Sequence, residues 1–366
     1  MTKTRSKFWD NYKGILIFLV VFAHFLWSYF SDLTNSYANT ITIFIYLFHM
    51  PAFIFTTGYL SKSENVFKKK AFLKLIVILL IFNTAMMCFN KITSGSSFSL
   101  LTPTYSYWYI LSVIWWRLLI KPLGKFKYLL PVSIIISFLI GFWPDLGNTL
   151  SIVRTIAFFP FFVLGYQFDF GKLKESLMNK SKIKKTLIYI LSLVFFLGLI
   201  IISNTFNLNY NNLLYYSYKD TLDIIIRIGL MICAFLTIFI LYFIIPDKKI
   251  PGITKWGKNC LLIYLIHRPI TIIFYKYIFP SSTYSDYYIL YALIATIILA
   301  LIFGSDLINK YFNKIISFIT NKIIETSLFK VFLVIFIILL LLLKPIDNLN
   351  SPNFNFFDLN ITSLFK

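Results

Sequence analysis

Eleven stretches of this chain are predominantly apolar, most of them over the roughly 18 residues a helix needs to cross about 30 Å of hydrocarbon. They are residues 14–31, 41–60, 75–92, 106–120, 129–145, 150–168, 186–204, 221–245, 259–279, 288–304 and 331–344. Inside a bilayer the backbone must satisfy its own hydrogen bonds, which leaves only helices and closed barrels. Runs of this length, without strand-like alternation of polar and apolar residues, predict helices. The expected fold is an all-α polytopic membrane protein.

Composition leaves no room for a soluble alternative. The 366 residues are 58% hydrophobic and 13% charged, with mean hydropathy +0.78, far more apolar surface than a soluble fold of that length can bury. The net charge of +21 invites a nucleic-acid reading. That reading fails because the lysines sit in short loops between apolar runs, not in one patch with interleaved aromatics. No nucleic-acid partner is expected. The three cysteines, Cys88, Cys233 and Cys260, are scattered over three runs and form neither a disulfide framework nor a metal spacing. The first run lacks a small-residue cleavage pattern and reads as a retained first helix, not a signal peptide.

Loop cations set the expected orientation. Lys3, Arg5 and Lys7 precede the first run, and alternate loops then carry Lys62, Lys68, Lys69, Lys70 and Lys74, then Arg117, Lys121, Lys125 and Lys127, then Lys172, Lys174, Lys180, Lys182, Lys184 and Lys185, then Lys248, Lys249, Lys255 and Lys258. The intervening loops are almost free of cations. The expected placement is a bacterial plasma membrane with a cytoplasmic N-terminus, and the lysine-rich composition suggests a low-GC Gram-positive source. Residues 305–330, "SDLINKYFNKIISFITNKIIETSLFK", mix lysines with spaced apolar residues and read as an amphipathic helix on the inner surface. The expected domains are a transmembrane unit over 1–304, that interfacial segment, and an extra span with a short outer tail over 331–366.

Polar groups inside the runs carry the chemistry. All three histidines, His24, His49 and His267, fall in apolar runs and none in a loop. Each could be a helix–helix hydrogen bond, but intramembrane ionisable groups mark functional pathways. Lys13 and His24 are 11 residues apart, about 1100° of helix rotation and about 16 Å of rise. They therefore share a face, with Asp10 one turn earlier on the same side. One face thus places an acid and an amine at the membrane interface and an imidazole near the centre. Such an imidazole suits a general base acting on a hydroxyl, while interfacial cations hold the phosphates of a donor. Four of the five arginines also lie in or at apolar runs. Arg227 has Asp223 four residues earlier as a local partner, whereas Arg154 and Arg268 call for a ligand or a remote partner.

These motifs resemble a known family. "DNYKGILIFLVVFAH" is similar to the first helix of the membrane-bound acyltransferase family 3, with Lys13 and His24 as its basic residue and histidine. "LFHMPAFIFTTGYL" (47–60) resembles that family's second helix. "YSYWYILSVIWWRLL", "SIVRTIAFFPFFVLGY" and "GKNCLLIYLIHRP" resemble its later motifs, in order. The branch closest in character contains fucose 4-O-acetylases and other surface-polysaccharide O-acetyltransferases. The resemblance implies a ten-helix core, with an eleventh helix added here, that moves acetyl from acetyl-CoA to a sugar hydroxyl without a metal. It implies His24 as the catalytic histidine and Lys13 as its paired cation. It also places a second basic motif within Lys68, Lys69, Lys70 and Lys74, where lysines replace the usual arginines and hold phosphate as point charges.

The expected site has His24 and Asp10 as catalytic groups and Lys13 with Lys68, Lys69, Lys70 and Lys74 as the acetyl-CoA dock. His49, Trp108, Arg154, His267 and Arg268 are expected to position substrate or stabilise an oxyanion. The expected partners are a glycan or lipid-linked sugar acceptor and membrane lipids, with a homo-oligomer compatible. The outer aromatic segments, Tyr105 to Trp108 and Tyr210 to Tyr218, read as interfacial belts in preference to surfaces that stack sugar rings. The alternative function is a transporter or flippase for lipid-linked oligosaccharides, although paired interrupted halves are not evident.

Overall fold

The computed structural model describes residues 5–30, 37–94, 102–143, 149–169, 171, 182–205, 218, 221–278 and 287–325. The expected eleventh span and outer tail lie outside the described residues, as do Asp145, Lys172, Lys174, Lys180, Tyr210, Tyr215 and Tyr216. Among the described residues the protein is helical and has no strand. The helices are α1 (Lys7–Phe30), α2 (Tyr37–Tyr46), α3 (His49–Leu60), α4 (Lys69–Ser94), α5 (Trp108–Leu123), α6 (Leu129–Leu139) and α7 (Ile152–Gln167). They continue as α8 (Lys182–Thr205), α9 (Thr221–Ile244), α10 (Ile253–Lys258), α11 (Cys260–Ile273), α12 (Tyr288–Phe303) and α13 (Asp306–Glu325). All ten apolar runs within the described residues are helical. By length and apolarity six helical stretches can cross a membrane, or seven if the bent α12–α13 pair counts as one span. α5 and α12 are shorter, with 16 residues each. The chain is a multi-pass membrane protein.

The expected second span is broken. α2 ends at Tyr46 and α3 begins at His49, with Leu47 and Phe48 between them. Pro51 explains the break, since its ring cannot fit against the carbonyl four residues earlier and it has no N–H to donate. The ladder tightens there, with Phe48 N–H reaching the Ile45 carbonyl at 3.3 Å. A sharper bend separates α12 from α13, whose axes differ by 59°. α13 packs back on α4 through Phe312 against Phe82 and through Lys74 Nζ, 3.1 Å from Asn313 Oδ1.

α1 is the central element. It packs against α2, α3, α10, α11 and α12, and it begins seven residues before the expected span. Those extra residues are buried by their partners. Asn11 donates to the carbonyls of Pro246 (2.8 Å) and Lys248 (2.7 Å) and accepts from Thr254 Oγ1 (2.5 Å). Phe8 N–H donates to Asp247 at 3.0 Å. The 246–254 loop is therefore tied to the first turns of α1, and α10 is held beside it. The approach is close enough that a Cβ on Gly257 would strike the Asp10 carbonyl, and one on Gly14 the Ile253 carbonyl.

Glycine also sets the crossing of α3 and α7. A Cβ at Gly58 would meet the Phe162 carbonyl, and one at Gly165 would meet the Phe55 carbonyl. Lipid tails are as apolar as leucine, so helices in a membrane gain by close backbone approach at small residues. Gly198 on α8 is the opposite case, with nothing within 4 Å of the point where a Cβ would stand. Replacing Gly165 by leucine is expected to abolish a monodisperse, folded protein in detergent, while Gly198→Leu leaves the thermal unfolding midpoint within a few degrees. Size-exclusion chromatography with a thermal shift assay compares the two.

Candidate active site

Helical geometry gives α1 two accessible sides. Ile15, Phe18, Leu19 and Phe22 form an apolar stripe, and Lys13, His24 and Trp27 lie on the opposite side. The imidazole of His24 therefore faces away from that stripe. The expected shared face of Lys13 and His24 is present, but the positions between them, Ile17 and Val20, are closed by packing.

Around His24 the structure gathers side chains from three elements. Tyr46, at the end of α2, lies with its hydroxyl 3.1 Å from His24 Nδ1. The Tyr46 ring is 4.8 Å from that of His49, centre to centre, and stacks on Trp27 at 5.4 Å. His267, from α11, has its ring centre 5.0 Å from that of His24. Three histidines that are scattered in sequence thus meet at one place.

Backbone carbonyls decide which nitrogen of each ring is available. At the α2–α3 break, His49 Nδ1 is 2.8 Å from the Ile45 carbonyl. In α11, His267 Nδ1 is 2.6 Å from the Tyr264 carbonyl. A carbonyl only accepts, so Nδ1 carries the hydrogen in both neutral rings and Nε2 keeps a lone pair. For His267 that Nε2 is fully buried and has no hydrogen-bond partner among the described residues. Of the positioning and oxyanion roles expected of His49 and His267, this tautomer suits positioning. A neutral ring held this way offers an acceptor at Nε2, and an oxyanion needs donors. His24 is different, because its Nδ1 partner is a hydroxyl that can donate or accept.

Residues 105–107 grip α11 where Pro269 interrupts it. Pro269 has no N–H for the Leu265 carbonyl, and the Tyr107 hydroxyl donates to that carbonyl at 2.8 Å instead. The Tyr264 hydroxyl donates to the Ser106 carbonyl. Tyr105 takes a left-handed backbone conformation, φ +48°, and the Arg268 guanidinium lies 4.6 Å from the centre of its ring. Tyr107 and Trp108 are buried, which corrects the interfacial-belt expectation for them. Trp108 stacks on Phe158 at 5.4 Å, with the Arg154 guanidinium 5.5 Å from its ring centre. This second pair is reached from His267 through Tyr264 and Tyr109.

The expected donor dock lies elsewhere. Asp10 is 14 residues from His24, about 21 Å along the helix, and so cannot touch the imidazole. Its carboxylate is held by Arg5 (2.6 and 2.8 Å) and by Lys13 (3.1 Å). Asp10 therefore holds two cations in place. Arg5 also donates to the Lys258 carbonyl at 3.2 Å, joining the chain start to α10. Lys68, Lys69 and Lys70 are exposed around the start of α4, while Lys74 is partly buried beside α13. Sequence reasoning misses Arg5 and Tyr46 as members of the site. Tyr46 is three residues before His49, one turn away, and that spacing is the available signal.

A family model described as an acyltransferase domain matches residues 6–305. The chain belongs to acyltransferase family 3. No curated protein and no solved structure is significantly similar to it. Family membership makes the protein a multi-pass membrane acyltransferase and favours acyl transfer over the transporter alternative. The ordered motifs that carry the family resemblance supply His24, His49 and His267, and the fold brings these three together. Among the described residues no group of three or more His, Cys, Asp or Glu is placed to hold a metal ion.

Tyr46 orients His24 as an outer partner orients a metal-bound histidine, a contact whose loss costs about 10- to 100-fold. Tyr46→Phe is therefore expected to lower the acyl-transfer rate by about that factor with little change in thermal stability. Initial rates and melting curves on the same membranes test this.

Proposed function

We propose that the protein is an integral membrane O-acetyltransferase that moves acetyl from cytoplasmic acetyl-CoA to a sugar hydroxyl of a cell-surface polysaccharide or its lipid-linked precursor. The observation that carries this reading is the meeting of His24, Tyr46 and His267 part-way along α1, with an ordered cation cluster at the start of the same helix. The loop cations argue that this start faces the cytoplasm of a bacterial cell, where acetyl-CoA is found.

In this reading the nucleotide phosphates of acetyl-CoA meet Lys13, Arg5 and the lysines at 68–70. Arg5, Lys13 and Asp10 together keep a net charge of +1, and Asp10 fixes the two cations in place so that they need not be ordered on binding. The flexible arm of the donor carries the thioester toward His24. Ile17 and Val20 fill the α1 face between dock and imidazole, so the arm must displace them or enter beside α1. Closure around the arm would also keep water from the thioester.

With the Nδ1–H of His24 donated to the Tyr46 oxygen, Nε2 of His24 is the base. It takes the proton of the acceptor hydroxyl as the oxygen attacks the acyl carbon. The carbon–sulfur bond breaks, and the thiolate recovers the proton. Arg268 and Arg154 are the cations nearest this end of the site and fit the charge that develops on the acyl oxygen. The exposed ring of Tyr105 and the Trp27–Tyr46 stack offer flat surfaces to a sugar.

The test uses membranes containing the full chain, labelled acetyl-CoA and a fraction of cell-surface glycan. Wild-type membranes are expected to place base-labile label in the glycan, and His24→Ala to lower the rate by about 10²–10⁴-fold. Lys13→Gln is expected to raise KM for acetyl-CoA with a smaller effect on kcat. Equal labelling by His24→Ala and wild type would overturn the assignment of the base.

A further inference from the structure

The second imidazole has a feature that the transfer reaction leaves unused. His267 is fully buried, its Nδ1–H is committed to the Tyr264 carbonyl, and its Nε2 lone pair has no hydrogen-bond partner among the described residues. An unsatisfied buried acceptor costs about 1–3 kcal/mol, so its retention beside His24 calls for a donor that arrives during the reaction. The ring is held from every side. Its Nδ1–H is tied to α11, Tyr264 is anchored to the Ser106 carbonyl, and the neighbouring Leu265 carbonyl is held by Tyr107. The His24 ring lies 5.0 Å away, centre to centre, and tilted by 35°. At that separation rotation of the His24 ring can carry its Nε2 toward the fixed Nε2 of His267 to form an N–H···N hydrogen bond of about 3 Å.

The geometry points to His267 as the second half of a two-imidazole proton carrier. This rests on the acyl-transfer reading above. When His24 Nε2 takes the proton of the acceptor hydroxyl, it becomes an imidazolium in a site that already contains Arg268. Its new N–H is then a donor, and Nε2 of His267 is the waiting acceptor. The proton is held between the two nitrogens while the oxygen–carbon bond forms and the carbon–sulfur bond breaks. The thiolate then takes the proton from His24. Both rings end neutral, and the balance is one hydroxyl and one thioester in, one ester and one thiol out.

The arrangement also explains why the lone pair is sealed. A proton needs no cavity to reach His267, whereas acylation of a ring with no accessible surface would need one. His267 is thus fitted to carry a proton and poorly fitted to carry the acyl group. It acts through His24 and is a positioning residue for the imidazolium.

The experiment measures labelled acetyl transfer by the full chain in membranes, for wild type, His267→Gln and His267→Ala. The expected result is a 10- to 100-fold fall in kcat with KM for acetyl-CoA within about twofold, since the donor dock is at the other end of α1. Added imidazole is expected to restore part of the rate to His267→Ala and none to His267→Gln, where the site stays filled. A kcat for His267→Gln within twofold of wild type would overturn the proposal, as would a folded His267→Ala protein whose rate added imidazole does not raise. If His24→Ala abolishes transfer while His267→Gln retains it, only this inference fails. If wild-type membranes transfer no acetyl, the reading of the function fails first.

Discussion

The demand that every backbone polar group inside a membrane find a partner is what organises this molecule. The protein places prolines beside its chemistry, Pro51 after the α2–α3 break and Pro269 within α11, and each leaves carbonyls whose helical partners are missing or displaced. These carbonyls are taken up by side chains of the site. Tyr107 satisfies Leu265, and His49 adds its Nδ1–H to Ile45. Fold and site are therefore one set of hydrogen bonds. The prolines are placed where a histidine or tyrosine must be held in one orientation, and satisfying the backbone is what selects the ring nitrogen left free to act.

Much of this is legible in the sequence because length, apolarity and 3.6-residue periodicity act locally. The ten helical runs within the described residues follow from these, as does the shared side of Lys13 and His24. The motif order that marks the family holds under comparison over residues 6–305. What is not legible depends on contacts between distant segments. Asp10 reads as an interfacial residue because it is polar, yet it and its neighbour Asn11 are both buried. Their partners are Arg5 and a loop more than 230 residues away, and no local pattern announces such a loop. The two parts of the second helix read as one span because Pro51 falls within the first turns of α3, where proline is tolerated, and its effect is felt earlier at Leu47. Tyr46 escapes notice for a related reason. In a chain with 24 tyrosines and 20% aromatic residues, a tyrosine at a helix end looks like an interfacial anchor until its hydroxyl is seen beside His24.

The cation cluster at the start of α1 obeys a similar economy. An isolated lysine at a membrane interface extends freely into water and loses much side-chain entropy on meeting a ligand. Here Lys13 and Arg5 are already ordered by one carboxylate, and Arg5 is further tied to α10. The arrangement sacrifices one unit of charge for preorganisation. Exposed lysines on the next loop can supply the remaining attraction at longer range, where point charges suffice and geometry matters less.

Lys13 and His24 lie on one face yet are separated by the buried side chains of Ile17 and Val20, and under the proposed reaction that separation would suit a thioester donor. A permanently open channel from a phosphate-binding surface to a base at mid-membrane depth would admit water as readily as substrate, and water is a competing acceptor. Packing Ile17 and Val20 into the gap makes entry conditional on a ligand large enough to replace their contacts. Under the proposal, the donor arm would do so because its nucleotide is already bound, which makes entry of the arm an intramolecular step with a high effective concentration. The unsatisfied lone pair of His267 fits the same proposal, because a site that excludes water leaves that acceptor open to a proton. The buried imidazole and the closed gap are thus two expressions of one requirement, that the site be polar enough to move a proton and closed enough to refuse a water molecule.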